Sequence, residues 1–266
     1  MKKKKINLPK NQLIGVTESG EIAYNLDAFR RLRRGNIIIS KTLTDALIEK
    51  LIKYKEKIIL HLTVTGFGGT RIEPLVPSLE QTYKKFLQLI EQGFPIKQVV
   101  LRVDPIVPSQ RGIDTAISVL KRFEGLGISR VRISFLDNYS HVRERFKAEN
   151  IDVLYNGKFH APLYLRTKYL EKITDAAKGL GFDNIEICGE PQMESIPCLS
   201  QRDIDILGLS DEIKLIGSAE QRGACKCPSN KYEILKVKPH RCENSCLYCY
   251  WRDEKKPNIK NDEYNN

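Results

Sequence analysis

The stretch that decides the fold runs from Ile58 to Val103 and reads IILHLTVTGFGGTRIEPLVPSLEQTYKKFLQLIEQGFPIKQVVLRV. It begins and ends with short β-branched, apolar runs, residues 58–65 and 99–103. Between them, Ser78-Leu-Glu-Gln81 has the spacing of a helical capping box, and apolar residues then recur at helical intervals up to Gly93. Strand, core-facing helix and strand in this order predict a βαβ unit with parallel strands.

The same alternation continues along the chain. Further strands are predicted at residues 36–40, 131–135, 184–188, 212–216 and 232–237, and residues 212–216 are more weakly patterned than the other six strands. Further helices are predicted at residues 44–54, 112–124 and 167–180. The chain has 266 residues, of which 41% are hydrophobic, and this is the usual size of a single α/β barrel. We therefore expect an α/β protein with a partial or full TIM-like (β/α) barrel. The long connection 137–166 is predicted to be a functional lid.

A cysteine-rich loop follows the last predicted strand and reads Arg241-Cys-Glu-Asn-Ser-Cys-Leu-Tyr-Cys-Tyr-Trp251. Three thiolates in one short loop, here Cys242, Cys246 and Cys249, can bind three irons of a four-iron four-sulfur cluster and leave the fourth iron without a protein ligand. This spacing differs from the paired Cys-x-x-Cys motifs that are commoner in zinc sites.

Four further cysteines leave alternatives open. Cys225 or Cys227 with the three loop cysteines would complete a tetrahedral zinc site, and either is also a candidate additional cluster ligand. Cys188 and Cys198 have no ligand spacing, and Cys188 lies in an apolar run typical of a buried strand. Because the cysteine count is odd, at seven, a disulfide framework is not expected.

Three segments together carry a family resemblance: Thr63-Val-Thr-Gly-Phe-Gly-Gly69 with Ile72-Glu-Pro74, then Arg102-Val-Asp-Pro-Ile106, and the C-terminal cysteines. Over residues 37–251 the chain resembles an uncharacterised bacterial and phage-associated family, a domain of unknown function with a radical-S-adenosylmethionine-like cysteine cluster at its C-terminus. It is more distantly similar to spore photoproduct lyase and the radical S-adenosylmethionine superfamily. The resemblance implies a 4Fe-4S cluster and S-adenosyl-L-methionine as cofactors, with Tyr248 beside the adenine, but it implies no substrate.

The loop's place in the chain implies a rearranged strand order. In most proteins of the radical S-adenosylmethionine superfamily the loop follows the first strand, whereas here it follows residues 232–237. A ring of strands tolerates such a cyclic rearrangement, because a strand moved from one chain end to the other keeps its place. We therefore predict that residues 232–237 lie beside residues 36–40 in the sheet, with a helix at residues 27–35 leading to the latter.

Cofactor-binding residues are expected at the carboxyl ends of the strands, as in other α/β barrels. The candidates are Thr65, Gly66, Arg102, Asp104 and Glu190. Arg102 and Asp104 point to the same side of one strand, where charges are costly unless they are paired. A structural pair of Arg102 with Asp104 or with Glu186 is the alternative to a cofactor contact.

Charge and sequence ends complete the expectations. The net charge of +11 favours anionic partners, with nucleic acid a candidate. No signal peptide or membrane span is recognised, so a cytoplasmic protein without a membrane partner is expected. Residues 1–22 are predicted to be a basic tail, residues 23–254 the barrel with its cysteine region at 225–251, and residues 255–266 a disordered tail.

Two functions of different classes follow from these features. The first is a radical S-adenosylmethionine enzyme that abstracts hydrogen or cleaves a bond, receives electrons from a flavodoxin- or ferredoxin-like reductant, and acts on an unidentified substrate, with nucleic acid a candidate. The second is a non-catalytic nucleic-acid-binding or accessory protein with a structural zinc and cysteine module. Coordination discriminates between them, because an open iron favours catalysis and four thiolates around zinc favour a structural role.

Overall fold

The computed structural model describes residues 8–151, 155, 158–218, 224–237 and 242–250. Its strands, in chain order, are β1 (Ile14–Val16), β2 (Asn36–Ser40), β3 (Ile58–Thr63), β4 (Val99–Ile106), β5 (Arg130–Phe135), β6 (Asn184–Ile187) and β7 (Lys231–Glu233). Its helices are α1 (Asp45–Lys53), α2 (Leu79–Glu91), α3 (Gln110–Arg122), α4 (Ser140–Ala148), α5 (Leu163–Gly179) and α6 (Gln201–Ile206). Short 3-10 helices are Lys10–Gln12, Ile22–Tyr24, Leu26–Arg31, Lys55–Lys57 and Ile96–Gln98.

The seven strands form one sheet in the order β6-β5-β4-β3-β2-β1-β7, and every neighbouring pair is parallel. The α/β class and the parallel sheet are therefore confirmed. Strands β6 and β7 are the two edges of the sheet, so the described strands do not close the ring of a full barrel. The carboxyl ends of all seven strands lie on one side of the sheet, where ligands bind in folds of this kind.

Strand β1 was not predicted, and it changes the neighbour of the last strand. It lies inside the stretch predicted to be a tail, residues 1–22, and pairs with β2 on one side and β7 on the other. The prediction that residues 232–237 lie directly beside residues 36–40 is therefore wrong, because β1 separates them. A strand of three residues is too short to show a periodic pattern, which explains why the sequence did not reveal it.

The helix termini follow the local sequence. In α2, Ser78 Oγ accepts a hydrogen bond from the Gln81 amide at 3.3 Å, and Gln81 Oε1 accepts one from the Ser78 amide at 2.9 Å. This is the predicted capping box, and Gly93 follows the helix with φ +88°. The segment 27–35 contains the short 3-10 helix rather than an α-helix.

One predicted strand is absent from the described structure, since residues 212–216 have no strand pairing. Their backbone is instead hydrogen-bonded by the Asn230 side chain, which accepts from the Ile216 amide at 2.7 Å and donates to the Lys214 carbonyl at 2.8 Å. This side chain satisfies the backbone groups that a neighbouring strand would otherwise pair with.

Both faces of the sheet are covered. One face, with Leu60 and Leu101, packs against the helices in the main core. The other face, with Ile59 and Val100, packs against Ile204 of α6 and its neighbours. Because β-strand side chains alternate between faces, these neighbouring residues belong to two separate cores. The connection between β6 and β7 therefore contributes to covering the second face.

Some predictions fall partly or wholly outside the described residues. The segment predicted to be a lid, 137–166, contains α4 and the start of α5, and its residues 152–154 and 156–157 lie outside them. The lysine run at residues 2–5, Trp251 and the predicted disordered tail 255–266 also lie outside. In the part of the chain that the structure describes, no helix is both long and apolar enough to cross a bilayer.

Candidate functional site

The cysteine loop is attached to segments that follow strands β1 and β3. The Leu247 amide donates a hydrogen bond to the Ile72 carbonyl at 2.9 Å, and Asn244 Nδ2 donates to Glu21 Oε2 at 3.0 Å. On another side, an Arg145 guanidinium nitrogen donates to the Cys249 carbonyl at 2.7 Å. These three contacts hold the loop against the side of the sheet where the strands end.

Glu73 is the hydrogen-bonding centre of this contact. Its carboxylate is 1% exposed and accepts hydrogen bonds from Thr65 Oγ1 at 2.6 Å and Lys41 Nζ at 2.9 Å. It also accepts a hydrogen bond from the Tyr248 hydroxyl. One carboxylate thus joins the end of β2, the segment after β3 and the aromatic residue of the cysteine loop. Thr65 and Tyr248, both predicted site residues, are brought together here.

Glu21 forms a second buried carboxylate contact with the loop. It accepts hydrogen bonds from the Lys41 amide at 2.9 Å and from the Ser40 hydroxyl, in addition to the one from Asn244. Burial raises the pKa of Glu21, while these hydrogen bonds lower it and offset part of that rise. The loop is therefore anchored by two acidic side chains on segments far away in the sequence.

The electrostatics of the loop are set by burial and by Lys41. Burial raises the pKa of Cys246 to about 12 and that of Cys242 to about 11. The Lys41 ammonium opposes this rise at Cys246. Burial lowers the pKa of Lys41 itself, but nearby acidic groups, Glu73 and Cys246 first among them, raise it by more, so the net shift is upward. Both thiols are protonated at neutral pH in the metal-free chain, so metal binding there releases protons.

An apolar cluster surrounds the thiols. Cys246, Leu247 and Tyr248 pack with Phe146 of α4 and with other residues that follow the strands. Tyr250 stacks on Tyr139, with ring centroids 5.5 Å apart. The segment predicted to be a lid therefore packs directly against the cysteine loop.

Gly66 has a packing role in this region. Its φ is +82°, and a Cβ atom at this position would lie 2.4 Å from Thr115 Cγ2 of α3. Only glycine combines that backbone conformation with such a close approach to the helix. The contact accounts for this glycine without a ligand.

Arg102 and Asp104 form the ion pair that the sequence allowed. The Ser134 hydroxyl donates a hydrogen bond to the same aspartate. Asp104 contributes to raising the pKa of Lys41, the residue whose ammonium lies near Cys246. Arg102 instead interacts electrostatically with Cys188 and Cys198, which contribute with Asp104 to raising the pKa of its guanidinium group.

Glu190 is placed in a different environment. Its carboxylate accepts a hydrogen bond from the Phe135 amide at 2.7 Å and pairs with Arg166 at 3.1 Å. Burial, followed by the nearby Asp137, raises the pKa of Glu190 to about 7, even though Arg166 opposes the rise. No hydrogen bond or ion pair described for Glu190 connects it to the cysteine loop.

A buried charge network crosses strands β5 and β6. Arg130 pairs with Glu186 and with Asp203 of α6, each at 2.7 Å, and Arg132 also binds Glu186. Both arginines are completely buried. Four residues on adjacent strands β3 to β6 are paired in register, so their side chains share one face of the sheet. They are Thr63, Arg102, Arg132 and Glu186.

The remaining four cysteines form a second sulfur cluster, containing Cys188, Cys198, Cys225 and Cys227. Cys188 and Cys198 Sγ atoms lie 3.2 Å apart, and the Cys198 amide donates to Cys227 Sγ at 3.2 Å. Cys225 and Cys227, predicted as additional ligands of the loop site, thus lie with the two cysteines that had no ligand spacing.

In the part of the chain described, no group of three or more histidine, cysteine, aspartate or glutamate side chains is already arranged about a metal position. For the loop, the donor chemistry fits a thiolate-bound cluster, because three thiols lie on one short loop and Cys249 is near enough to contribute to raising the pKa of both Cys242 and Cys246.

Sequence reasoning missed three residues of this site: Lys41, Glu73 and Glu21. Glu73 lies in the Ile72-Glu-Pro74 motif that carried the family resemblance, but its role depends on contacts made in three dimensions. Lys41 directly follows a predicted strand, and this position was the available signal.

Comparison with known proteins gives a family but no function. A search of curated proteins finds no match. Residues 36–251 match the family described as a domain of unknown function, DUF1848, and this match covers most of the chain, so the protein belongs to that family.

Proposed function

We propose that this protein is an iron-sulfur enzyme of the radical S-adenosylmethionine type, which generates a carbon radical for hydrogen abstraction or bond cleavage. One observation carries the proposal: the three-cysteine loop is anchored by Glu73 and Glu21 on the side of a parallel sheet where the strands end. In α/β folds this side carries the active site. The proposal includes an open, partial barrel as the scaffold.

In this proposal, Cys242, Cys246 and Cys249 bind a 4Fe-4S cluster. When bound, a cluster with one iron free of protein ligands chelates S-adenosyl-L-methionine and supplies the electron that cleaves its sulfonium. The adjacent Lys41 ammonium stabilises negative charge on Cys246. The hydrogen bond from Tyr248 to Glu73 fixes the aromatic ring beside the thiols.

The S-adenosylmethionine pocket is proposed from the predicted strand-end residues. These are Thr65, Gly66, Arg102, Asp104, Glu190 and Tyr248. Thr65 and Tyr248 have the strongest support, since both bind the same carboxylate of Glu73. Asp104 is linked to this group through its charge interaction with Lys41. The apolar packing of the loop against Phe146 and Tyr139 supports exclusion of water from the thiols.

The electron donor and the substrate are proposed from chemistry alone. Reduction of a buried cluster requires a one-electron carrier, and a flavodoxin- or ferredoxin-like protein is proposed. The net charge of +11 supports an anionic substrate such as nucleic acid. We expect the protein to bind DNA or RNA with an affinity that falls steeply as the salt concentration rises. If it does not bind at low salt, nucleic acid is excluded as the substrate.

The experiment is anaerobic reconstitution of the full chain with iron and sulfide, followed by electron paramagnetic resonance of the reduced protein. The expected result is a four-iron signal that changes when S-adenosylmethionine is added. Cys246→Ala is expected to abolish the signal. The matched control is Cys225→Ser, because this thiol lies in the other sulfur cluster and its loss should leave the loop signal intact.

The opposite result would support the alternative, a non-catalytic nucleic-acid-binding protein with a structural zinc module. In that case the loop would take up no iron and would hold zinc that is lost in Cys246→Ala. The fourth ligand of such a zinc site would be Cys225, Cys227 or His240, and His240 lies outside the described residues. The two cysteines lie elsewhere. The grouping of both residues with Cys188 and Cys198 gives the alternative less support than the iron-sulfur proposal.

A further inference from the structure

The second sulfur cluster brings together thiols from three separate segments. Cys188 directly follows β6, Cys198 precedes α6, and Cys225 and Cys227 precede β7. Cys188, Cys198 and Cys227 are each less than 10% exposed, and Cys225 packs against them. Because β6 and β7 are the two edges of the sheet, the cluster connects the chain segments at its two open ends.

Contacts within the cluster join the four cysteines to one another. Cys188 and Cys198 Sγ atoms are 3.2 Å apart, and the Cys198 amide donates to Cys227 Sγ at 3.2 Å. The Cys225 and Cys227 side chains are close enough to shift each other's pKa, that of Cys225 downward and that of Cys227 upward. An amide that donates to a sulfur stabilises the thiolate form, and such contacts commonly surround metal-bound cysteines.

Positive charge faces this cluster from the sheet. Arg102 of β4 and Arg132 of β5 both interact electrostatically with Cys188 and Cys198. Arg132 is fully buried, and its Nη1 atom has no hydrogen-bond partner among the described residues. Four thiolates around a divalent cation carry a net charge of about −2, and buried charge of this kind requires compensation by neighbouring cations. Both arginines also pair with a carboxylate, Arg102 with Asp104 and Arg132 with Glu186, so they compensate part of this charge.

We propose that Cys188, Cys198, Cys225 and Cys227 bind a single Zn²⁺ ion in tetrahedral coordination. The four thiols release their protons on binding, and no electron transfer is involved. The ion would join the ends of the two edge strands and stabilise the segment that covers the second face of the sheet. This inference does not rest on the proposed enzymatic function.

The distance between the Cys188 and Cys198 sulfurs favours a single metal ion over a disulfide or a four-iron cluster. Zn–S bonds of about 2.3 Å in a tetrahedron place the sulfurs about 3.8 Å apart, close to the 3.2 Å between Cys188 and Cys198. A disulfide would need the two sulfurs at about 2.05 Å. In a four-iron cluster the thiolates bind separate irons, and their sulfurs lie much farther apart than ligands of one ion.

The experiment is metal analysis of the full chain purified without added metal under anaerobic conditions, with iron and zinc measured separately. One zinc per chain is expected. Cys198→Ser and Cys225→Ser are each expected to lose most of it, whereas Cys246→Ser in the other loop should retain it. Cys225 is the least buried of the four, so its variant is the one expected to stay folded, and circular dichroism checks this.

A second readout identifies the coordination. Replacing zinc with Co²⁺ is expected to give the intense visible absorption of tetrahedral thiolate coordination, with reduced intensity in Cys225→Ser and unchanged intensity in Cys246→Ser. Zinc bound equally by all variants, iron in place of zinc at these four cysteines, or a Cys188–Cys198 disulfide found by mass spectrometry would each overturn the inference. Failure of the loop to bind iron would affect only the proposed function.

Discussion

Replacement of Glu73 by alanine tests whether this carboxylate organises the candidate site. In the structure, Glu73 is 1% exposed and accepts hydrogen bonds from Lys41, Thr65 and Tyr248. The alanine variant removes all three contacts at once. It leaves the Lys41 ammonium, whose side chain is 16% exposed, without its carboxylate partner.

The expected loss of stability follows from that burial. Removing one partner of a buried ion pair costs about 3–5 kcal/mol, because the remaining charge is not solvated by water. For a chain of this size, each kcal/mol corresponds to about 2–4 °C in melting temperature. Glu73→Ala is therefore expected to lower the melting temperature by about 6–20 °C. Tyr248→Phe removes only one donor and should have a clearly smaller effect.

The assay is thermal unfolding of the metal-free chain followed by circular dichroism. The matched control is Glu80→Ala, because Glu80 also makes two charged hydrogen bonds, to Arg122 at 2.6 and 2.9 Å, but lies on the surface. Exposed pairs contribute little, so the control should melt close to the parent protein. Equal melting temperatures for Glu73→Ala and Glu80→Ala would refute the reasoning, since burial would then make no difference.

Three further predictions concern other parts of the fold. The pKa of Glu190 is raised from 4.5 to about 7, so its contribution to stability is complete below about pH 4.5 and is lost as the pH rises through about 7. Glu190→Gln should therefore flatten the fall in stability over this range, measured by urea unfolding at several pH values, and an unchanged pH profile would contradict the assignment. Phe86→Ala should cost about 3–5 kcal/mol because Phe86 is fully buried, whereas Tyr164→Ala, at a residue 74% exposed, should leave the urea midpoint unchanged. Ser78→Ala should cost about 1 kcal/mol through loss of the capping box, and restoration by Ser78→Asp would show that the cap is the cause.

Much of the secondary structure could be predicted from local pattern. Strand β2 was predicted to the residue, and β3, β4, β5 and β6 within three residues at either end. Strands β2 and β3 are buried almost throughout and appear as nearly continuous apolar runs. Strand β1 could not be predicted, because its three residues, Ile14–Val16, are too few to show an alternating hydrophobic pattern. Its insertion beside β2 then displaced β7 from the expected neighbour.

The candidate site was predictable where its residues are close in sequence, and at Thr65, which lies at the end of a predicted strand. Cys242, Cys246 and Cys249 are recognisable because one short loop carries all three. Glu73 and Glu21 were missed, because nothing in their neighbourhoods indicates contact with that loop. The Cys188 cluster was missed for the same reason, since its members are spread over 40 residues with irregular spacing.

The sequence by itself determined the α/β class, the main helices and strands, and the three-cysteine loop. These features depend on periodicity, capping and spacing, which act between residues a few positions apart. Only the tertiary structure decided the strand order around β1, the attachment of the loop to Glu73 and Glu21, and the division of seven cysteines into two groups. Those features depend on which distant segments the packing of the sheet brings into contact, and a linear pattern does not encode that proximity locally.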